Sequence, residues 1–483
     1  MAEDNQEKKI EKIDKRIYEG QNGLSDIFVK DNGYKIKLIS DKRGYAFTYN
    51  RLWEEKDLSF FVHTISTYLM LILSKAIHTS IETTIKITDK LLLEVEKAQT
   101  IKLEKILKQC QQYNYCEQIF KMSSARLRDD DFIIQLNADK NKIPIKDGKL
   151  IDLTTLEVRD RIITDYFDFE CDINYLPNHD LKNASRFFKE LMNNNEDVYQ
   201  YLQQILGYCI TGETDQKSIF LFWGSGDNGK SVLCELMKIV LKKLCVAIDK
   251  KVFIRTDDKG SHTEFLIPLV SARLAIYSES EKQEKLNEAL IKKLTGNDEI
   301  SARALYGKQF SFKPNSKYIM MTNHKPEFDI NDEALISRLK YIPFLAKFKD
   351  FPKDGEFKKD SDFVENLKTN HLDEVFSWLC IGANKYYQTR KIIIPKIIEQ
   401  ETQKYINDID YVQKFFDECT SPEKDNKIKR SSFYDNYLKF CNSNGHSVLP
   451  KNLFFDEIIK KDYKINKIEG IFYVKDIKIN NFE

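Results

Sequence analysis

The chain has 483 residues, of which 42% are hydrophobic and 31% are charged, so it is long enough for about three domains that each bury a core. The 76 Lys and Arg residues balance the 75 Asp and Glu residues, which leaves a formal net charge of +1. This balance excludes a protein that binds nucleic acid through bulk positive charge, so any such surface has to be a local patch.

Cysteine usage and the N-terminal sequence favour a cytoplasmic protein. The nine cysteines include no C-x-x-C pair, which argues against a zinc ribbon and against the disulfide framework of a secreted protein. The N-terminus is polar and charged, unlike a secretory signal. The uncharged stretch at residues 59–74 is too short to span a bilayer. We therefore expect a cytoplasmic protein without a membrane partner.

The first two predicted regions are a flexible charged arm over residues 1–22 and a mixed α+β domain over residues 23–183. Alternating apolar and polar residues predict a small antiparallel sheet, helical spacing predicts two helices, and Asp147-Gly148 predicts a hairpin turn. These elements are placed at residues 34–39 and 45–49 (strands), 58–77 and 91–108 (helices), and 143–161 (hairpin). The acidic cluster Asp129 to Asp131 is interpreted as a solvated loop in preference to a metal site for primer synthesis.

An α/β ATPase core is predicted for residues 184–405. Two amphipathic helices within 184–211 precede an unbroken apolar strand at 219–223, as expected for a strand buried on both faces of a parallel sheet. The next residues match the G-x-x-x-x-G-K-[ST] phosphate loop without a mismatch, and apolar residues at helical spacing follow it. The loop consists of Gly224, Ser225, Gly226, Asp227, Asn228, Gly229, Lys230 and Ser231.

These residue types predict a site for ATP, with Mg²⁺ as a second cofactor. Glycines let backbone N–H groups approach phosphate oxygens at the positive end of a helix. Lys230 would bring a positive charge to the β- and γ-phosphates, and the Ser231 hydroxyl would bind Mg²⁺. The alternative is a glycine-rich turn before a core helix, which the complete match in this context disfavours.

Two further strands are predicted to end in catalytic side chains. The strand at 273–277 leads to Glu279, which is expected to orient the attacking water and to contact Mg²⁺. Glu281 is the reserve candidate, and a solvated charge run is the alternative to both. The strand at 317–321 leads to Asn323, whose amide is expected to sense the γ-phosphate or its water.

A hairpin is predicted between these strands, over residues 302–312, with a Tyr-Gly-Lys tip. An aromatic ring and a cation at the end of a hairpin suit base stacking and contact with a phosphate backbone. Arg303, Tyr306 and Lys308 are therefore candidate DNA-binding residues. Taken alone, such a feature is more often an ordinary surface hairpin.

The last region, residues 406–483, is predicted to be a winged helix. Helical spacing marks helices at 411–419, 431–442 and 450–461, and Glu469-Gly470 centres a two-stranded wing within 463–477. The third helix would enter a major groove of duplex DNA, leading with Lys451 and Asn452. Winged helices also dock proteins, so the sequence leaves both interpretations open.

The motifs of the ATPase region resemble those of superfamily 3 helicases. The similarity lies in the phosphate loop with Asn228 before Gly-Lys-Ser and in the stretches 294–298, 303–308, 322–326 and 337–344. It is strongest with the poxvirus-type and phage or plasmid primase-helicases, including replication initiators of phage-inducible pathogenicity islands. The stretches 23–55 and 143–151 resemble the domain that precedes the ATPase in that family.

This resemblance implies a fold, an assembly and an activity. The fold is an AAA+ core between an α+β domain and a winged helix, and the assembly is a homo-hexameric ring. The activity is ATP-driven translocation on single-stranded DNA, 3′ to 5′, by a replication initiator that binds its origin, with a separate primase or polymerase as a partner. Arg338 would be the arginine finger of the neighbouring subunit's site. Ser278 and Ser337 depart from residues that many relatives carry, an acid and a first arginine.

Two other function classes remain. One is an origin-binding AAA+ initiator that uses ATP as an assembly switch without unwinding DNA. The other is an interaction platform with a decayed site, which the intact Lys230, Ser231 and Glu279 disfavour.

Overall fold

The computed structural model describes residues 13–177, 180–256, 263–278, 284–303 and 309–480. The described chain forms two compact units, and the first comprises the residues up to Asp139 together with 143–150 and 158–170. The second contains residues 140–142, 151–157 and the chain from Cys171 onward. The chain therefore passes between the units several times, whereas the sequence predicts one boundary, at residue 183, between the α+β domain and the ATPase core.

The first unit contains the predicted small sheet and helices. Strands β1 to β3 form an antiparallel sheet, and the helices α2, α3 and α4 pack around one apolar core. The elements are α1 (Gln21–Asn32), β1 (Ile36–Leu38), β2 (Arg43–Phe47), β3 (Trp53–Asp57), α2 (Leu58–Lys86), α3 (Lys90–Cys110), α4 (Tyr113–Leu127) and α5 (Phe132–Gln135). They are followed by β4 (Lys142–Ile145), β5 (Lys149–Asp152) and β6 (Val158–Asp160), which form a three-stranded sheet.

The N-terminal segment is ordered over more residues than the sequence suggested. Residues 1–12 of the predicted arm lie outside the described residues, but a short 3₁₀ helix spans Lys15–Glu19 and Ile17 is buried. The predicted arm of residues 1–22 is therefore too long at its C-terminal end. In the acidic cluster, Asp129 pairs with Lys37 at 2.9 Å and Asp130 with Arg128 at 2.8 Å.

Helix α2 is longer than the uncharged run in the sequence, because it continues through Lys75 to Lys86. Among the described residues it is the one helix that is long and apolar enough to cross a membrane by length and composition. The uncharged run considered alone therefore understates the length of the apolar helix that contains it. One third of its most apolar window is buried (33%), and the stripe Phe61, Ile65 and Leu69 lies in the apolar core with residues of α3 and α4.

The second unit is built on a five-stranded parallel sheet with the order β13-β7-β12-β9-β8. Its first half contains α6 (Lys182–Leu191), α7 (Glu196–Ile210), β7 (Ile219–Trp223), α8 (Lys230–Leu241), β8 (Cys245–Ala247), β9 (Leu274–Ser278), α9 (Glu288–Thr295), β10 (Ile300–Arg303), β11 (Gln309–Phe312) and β12 (Lys317–Thr322). It continues with α10 (Glu333–Arg338), β13 (Leu339–Pro343), β14 (Phe348–Lys349), β15 (Phe357–Lys358), α11 (Ser361–Asn370), α12 (Leu372–Thr389) and α13 (Lys396–Ile409).

The central strands of this sheet are buried because their sequences are continuously apolar. Every residue of β12 is buried, and so are the first four residues of β7, as expected for strands covered on both faces. The register pairs Trp223 at the end of β7 with Thr322 at the end of β12. The loops that follow these two strands therefore start side by side.

The C-terminal module, defined here as residues 410–480, confirms the predicted helices and hairpin and adds one strand. Its elements are α14 (Tyr411–Cys419), β16 (Thr420–Lys429), α15 (Arg430–Asn444), α16 (Lys451–Lys460), β17 (Ile465–Ile468) and β18 (Ile471–Ile479). Glu469 and Gly470 both have positive φ, 49° and 83°, as a two-residue hairpin loop requires. The unpredicted strand β16 pairs with β18, so the sheet has three strands in the order β16-β18-β17.

Candidate active site

The phosphate-loop motif forms a tight connection between β7 and α8. Gly224 N–H donates to the Thr322 carbonyl at 3.1 Å, and a Cβ at Gly224 would lie 1.9 Å from the Asn228 side-chain nitrogen. Gly226 and Gly229 have φ of 103° and 77°, a region that favours glycine. Helix α8 begins at Lys230, so the N–H groups of its first turn lack intrahelical partners and favour an anion.

Lys230 places a buried ammonium group inside this loop. The residue is 7% exposed, and its Nζ donates to the Gly224 carbonyl at 2.7 Å, to Asn228 Oδ1 at 3.1 Å and to Asn323 Oδ1 at 3.3 Å. Burial lowers the pKa of Lys230 to about 8, because a charged group loses hydration there. These partners are neutral oxygens, so phosphate oxygens could replace them with a gain in electrostatic attraction.

Asn323 reaches Lys230 because β12 lies between β7 and β9 in the sheet. It directly follows the last residue of β12, Thr322, and its side chain is exposed. The structure therefore brings together two of the predicted catalytic residues, Lys230 and Asn323, which are 93 positions apart in the sequence. An exposed amide beside a lysine can bind a phosphate oxygen or a water molecule.

The predicted metal-binding pair is described in part. Ser231 is exposed in the first turn of α8, where a hydroxyl can reach an ion held by the loop. Glu279 and its reserve Glu281 lie outside the described residues. Strand β9 ends at Ser278, which pairs with Met321 of β12, so β9 ends at the same edge of the sheet as Asn323. Among the described residues, no group of three or more His, Cys, Asp and Glu is placed to hold a metal ion.

A segment that the sequence analysis missed supports the loop. Asn228 Nδ2 lies 3.5 Å from the Phe344 carbonyl, and the Asp227 carbonyl accepts a hydrogen bond from the Phe348 N–H at 2.8 Å. The carboxylate of Asp227 pairs with Lys349 at 2.6 Å, and this hydrogen bond lowers the pKa of Asp227. The residues after β13 therefore fix the outer side of the loop.

Arg338 lies far from the phosphate loop of its own chain. It ends α10, just before Leu339, which pairs with Ile219 at the start of β7, while Pro343 pairs with Trp223 next to the loop. Leu339 and Pro343 are four positions apart on an extended strand, which corresponds to about 13 Å. Arg338 Nε donates to Thr295 Oγ1 at 3.1 Å, and its Nη1 donates to the Ala334 carbonyl.

The predicted DNA-binding hairpin is confirmed in its strands. β10 and β11 pair antiparallel, with Arg303 opposite Gln309. The Arg303 N–H donates to Thr263 Oγ1 at 3.0 Å, and this residue is exposed. Tyr306 and Lys308, at the predicted tip, lie outside the described residues.

The other predicted DNA-binding residues, Lys451 and Asn452, line a groove of about 590 Å³ in the C-terminal module. The full lining is Arg430, Ser431, Lys451, Asn452, Ile471 and Phe472. Two helices, α15 and α16, begin at this groove. The Arg430 guanidinium lies 4.2 Å from the Phe455 ring centre and 5.7 Å from that of Phe472. Sequence analysis missed Arg430, although a basic residue at the first position of a helix was a usable signal.

Comparison with known protein families gives two partial matches. Residues 222–338 match a family of unknown function, DUF5906, and residues 407–481 match the family described as poxvirus D5 protein-like. The first covers the phosphate loop, Asn323 and Arg338, and the second covers the C-terminal module.

Curated relatives are viral proteins named as helicases and primases. The chain is 26% identical over 362 residues to "Putative helicase L207/L206" of Acanthamoeba polyphaga mimivirus, covering 71% of this chain and 37% of that protein. It is 25% identical to "Putative helicase 184R" of Invertebrate iridescent virus 6, covering 69% and 38%. It is 27% identical to "Primase D5" of Fowlpox virus, covering 42% and 26%. The chain thus spans less than two fifths of the length of these relatives.

Among solved structures, the C-terminal region of NrS-1 aligns over 64% of this chain and 80% of that chain, with a TM-score of 0.37 and 11% identity. This likeness is too low to support a conclusion. The chain is thus similar in sequence to viral proteins that are named as helicases and primases.

The buried environment of Lys230 predicts a titration near neutral pH. Acetic anhydride in trace amounts reacts with a lysine amine only when the amine is neutral. We therefore expect half-maximal labelling of Lys230 in the nucleotide-free protein at about pH 8. A lysine in an unfolded reference peptide should reach half-maximal labelling at about pH 10.4, which is the ordinary pKa of an exposed lysine. Mass spectrometry of peptides labelled between pH 6 and about 11 measures both curves. A Lys230 curve that coincides with the peptide curve would show that burial does not lower the pKa of Lys230.

Proposed function

We propose that this protein is a replicative DNA helicase driven by ATP hydrolysis, an AAA+ ATPase of superfamily 3. It acts in the cytoplasm as a homo-hexameric ring that translocates on single-stranded DNA, 3′ to 5′. It binds the replication origin of a mobile genetic element and cooperates with a separate primase or polymerase. The observation that carries the proposal is the contact of Lys230 with Asn323 at the mouth of the phosphate loop, 3.3 Å from Nζ to Oδ1.

The residues of the loop fit a nucleoside triphosphate. Lys230 would exchange its three neutral oxygen partners for β- and γ-phosphate oxygens, and the N–H groups of the loop and of α8 would bind the same anion. Ser231 and Glu279 would hold Mg²⁺, which offsets phosphate charge when bound. Asn323 would orient the water beside the γ-phosphate, and Glu279 would accept its proton.

The position of Arg338 supports a ring. Arg338 starts about 13 Å along the sheet from its own phosphate loop, so it is placed away from phosphates held there. It can complete the site of a neighbouring subunit, as arginine fingers supplied in trans do. The half-buried guanidinium is already oriented by Thr295 and Ala334.

Two surfaces would bind DNA. The β10–β11 hairpin, with Arg303, Tyr306 and Lys308, would contact single-stranded DNA in the channel of the ring. The groove of the C-terminal module, a winged helix in this proposal, would bind duplex DNA. Its cations and helix N-termini suit backbone phosphates, and Asn452 suits a base edge.

The first prediction of the proposed function tests hydrolysis and unwinding together. Lys230→Ala should lower ATP affinity, whereas Glu279→Gln should still bind ATP but hydrolyse it about a hundredfold more slowly, as typical losses of a general base do. Lys238→Ala, an exposed lysine on the same helix, is the control and should leave both unchanged. The measurements are nucleotide binding, phosphate release and strand displacement on a forked duplex.

Each outcome selects one function. Hydrolysis that depends on Lys230, without strand displacement, would replace the helicase with an origin-binding initiator that uses ATP as an assembly switch. Near-normal turnover of Glu279→Gln would move the role of base to Glu281. Absence of ATP binding by the wild-type protein would refute the proposal.

The second prediction tests the role of Arg338 in a neighbouring site. Arg338→Ala and Lys230→Ala subunits should each be inactive alone, but mixed rings contain some interfaces in which both residues are intact. Mixing should therefore recover a fraction of the hydrolysis, on the order of a quarter of the sites at equal proportions. The recovered rate is followed across mixing ratios, with mixed assembly verified by differential tags. A rate that stays at the inactive baseline would exclude a role in trans.

The third prediction tests the groove with a duplex that the wild-type protein selects from a random library. Lys451→Ala should weaken binding about tenfold and reduce the salt slope by about one, because it removes one phosphate contact. Asn452→Ala should relax sequence preference with little change in the salt slope. Lys439→Ala, exposed farther along α15, is the control. If neither groove variant differs from the control, the C-terminal module docks a protein instead.

A further inference from the structure

Lys325 lies two residues beyond Asn323, and its ammonium group is surrounded by aromatic rings. The Nζ atom is 5.4 Å from the ring centre of Trp223, 5.5 Å from that of Tyr341 and 5.8 Å from that of Tyr405. These distances are within the range in which a cation is attracted to a ring face. Three rings around one ammonium group form an aromatic cage, and we use this name for Trp223, Tyr341 and Tyr405 below.

The cage gathers elements that are distant in sequence. Trp223 ends β7 immediately before the phosphate loop, Tyr341 is in β13, and Tyr405 is in α13. The rings of Trp223 and Tyr341 stack at 6.0 Å, and those of Tyr341 and Tyr405 at 5.0 Å. The Tyr405 hydroxyl also donates to the Pro326 carbonyl, so the backbone next to Lys325 is held as well as its side chain.

Asp408 supplies the counter-charge from the last turn of α13. Its carboxylate lies 2.5 Å from Lys325 Nζ, and the two side chains are 40% and 25% exposed. A methionine would fill the same cage without needing a counter-charge, and partly buried ion pairs are weak contributors to stability. The charged pair therefore contributes more to fixing the position of this segment than to stabilising the fold.

The same segment contacts the C-terminal module. The Glu327 carboxylate accepts a hydrogen bond from the Tyr411 hydroxyl at 3.2 Å, and Asn331 donates to Glu457 at 2.6 Å. Two residues beyond Asp408, Asp410 pairs with Lys461 at 2.7 Å. Residues 323–331 thus join the mouth of the phosphate loop to α14 and α16.

We propose that Lys325 is a positioning residue that holds Asn323 beside Lys230 and couples ATP hydrolysis to DNA bound by the C-terminal module. Only one residue separates Asn323 from Lys325, so a displacement of the caged ammonium group displaces the amide that faces the nucleotide. The ion pair with Asp408 transmits the position of α13 and α14 to that amide. This inference rests on the proposed ATP hydrolysis.

The test compares four variants in the 483-residue chain. Lys325→Met keeps the volume in the cage and removes the charge, Lys325→Arg keeps the charge, and Asp408→Asn removes the counter-charge. Lys368→Met is the matched control, because Lys368 forms a 2.5 Å ion pair with Glu235 and is 16% exposed. Steady-state ATP hydrolysis is measured with and without duplex DNA, and thermal unfolding is recorded for each variant.

We expect Lys325→Met to lower kcat about tenfold while KM for ATP changes less than about threefold, since the residue orients a group without binding nucleotide. Asp408→Asn should also lower kcat, but by a smaller factor than Lys325→Met. Stimulation of hydrolysis by duplex DNA should be lost in both. Lys325→Arg should restore most of kcat and the stimulation, and Lys368→Met should match the wild type.

The outcomes separate this inference from the proposed function. If the wild type hydrolyses ATP in a Lys230-dependent way and Lys325→Met matches Lys368→Met, the inference fails and the proposed function stands. An equal loss of kcat in Lys325→Met and Lys325→Arg, together with lower melting temperatures, would show that Lys325 has a merely structural role. This result would also overturn the inference. If Lys325→Met does not fold, the half-exposed Asp408→Asn decides by its kcat and its response to DNA. A wild type without ATP hydrolysis would overturn both.

Discussion

A positive charge held among neutral oxygens is the constraint on which the phosphate-loop side of this protein depends. Lys230 is buried at the N-terminal end of α8, where the helix dipole is also positive. Its described partners, a backbone carbonyl and two amide oxygens, satisfy its hydrogens without neutralising its charge. A buried charge without a counter-charge is unfavourable, so this arrangement favours the entry of an anion.

The strand order determines which side chains share that site. Because β12 is inserted between β7 and β9, the loop after β12 contacts the phosphate loop, and the end of β9 is one strand farther away. The outer strand β13 runs in the same direction, so its first residue lies at the opposite edge of the sheet. The sheet therefore places Arg338, which directly precedes β13, at the edge opposite to Lys230 and Asn323.

Sequence reasoning succeeded where the signal is local. The apolar run of β7, the loop motif and the strand before Asn323 are each contained in a few neighbouring residues, and the structure has them as predicted. Strand β16 was missed because it contains Pro422 and several charges, and only its pairing with β18 makes it a strand. The Asp227–Lys349 pair joins positions 122 residues apart, and no spacing rule links them. The aromatic cage of Lys325 depends in the same way on three elements that meet only after folding.

The burial of every cysteine has a practical consequence. All nine are buried, so reagents in solution reach their sulfur atoms poorly, and burial also raises the pKa of thiols such as Cys209, to about 12. A cysteine introduced at an exposed position would then be the preferred target for a thiol-reactive dye in the natural sequence background. Pairs of such dyes on the phosphate-loop side and on the C-terminal module would report their separation through energy transfer while the protein works on its substrate.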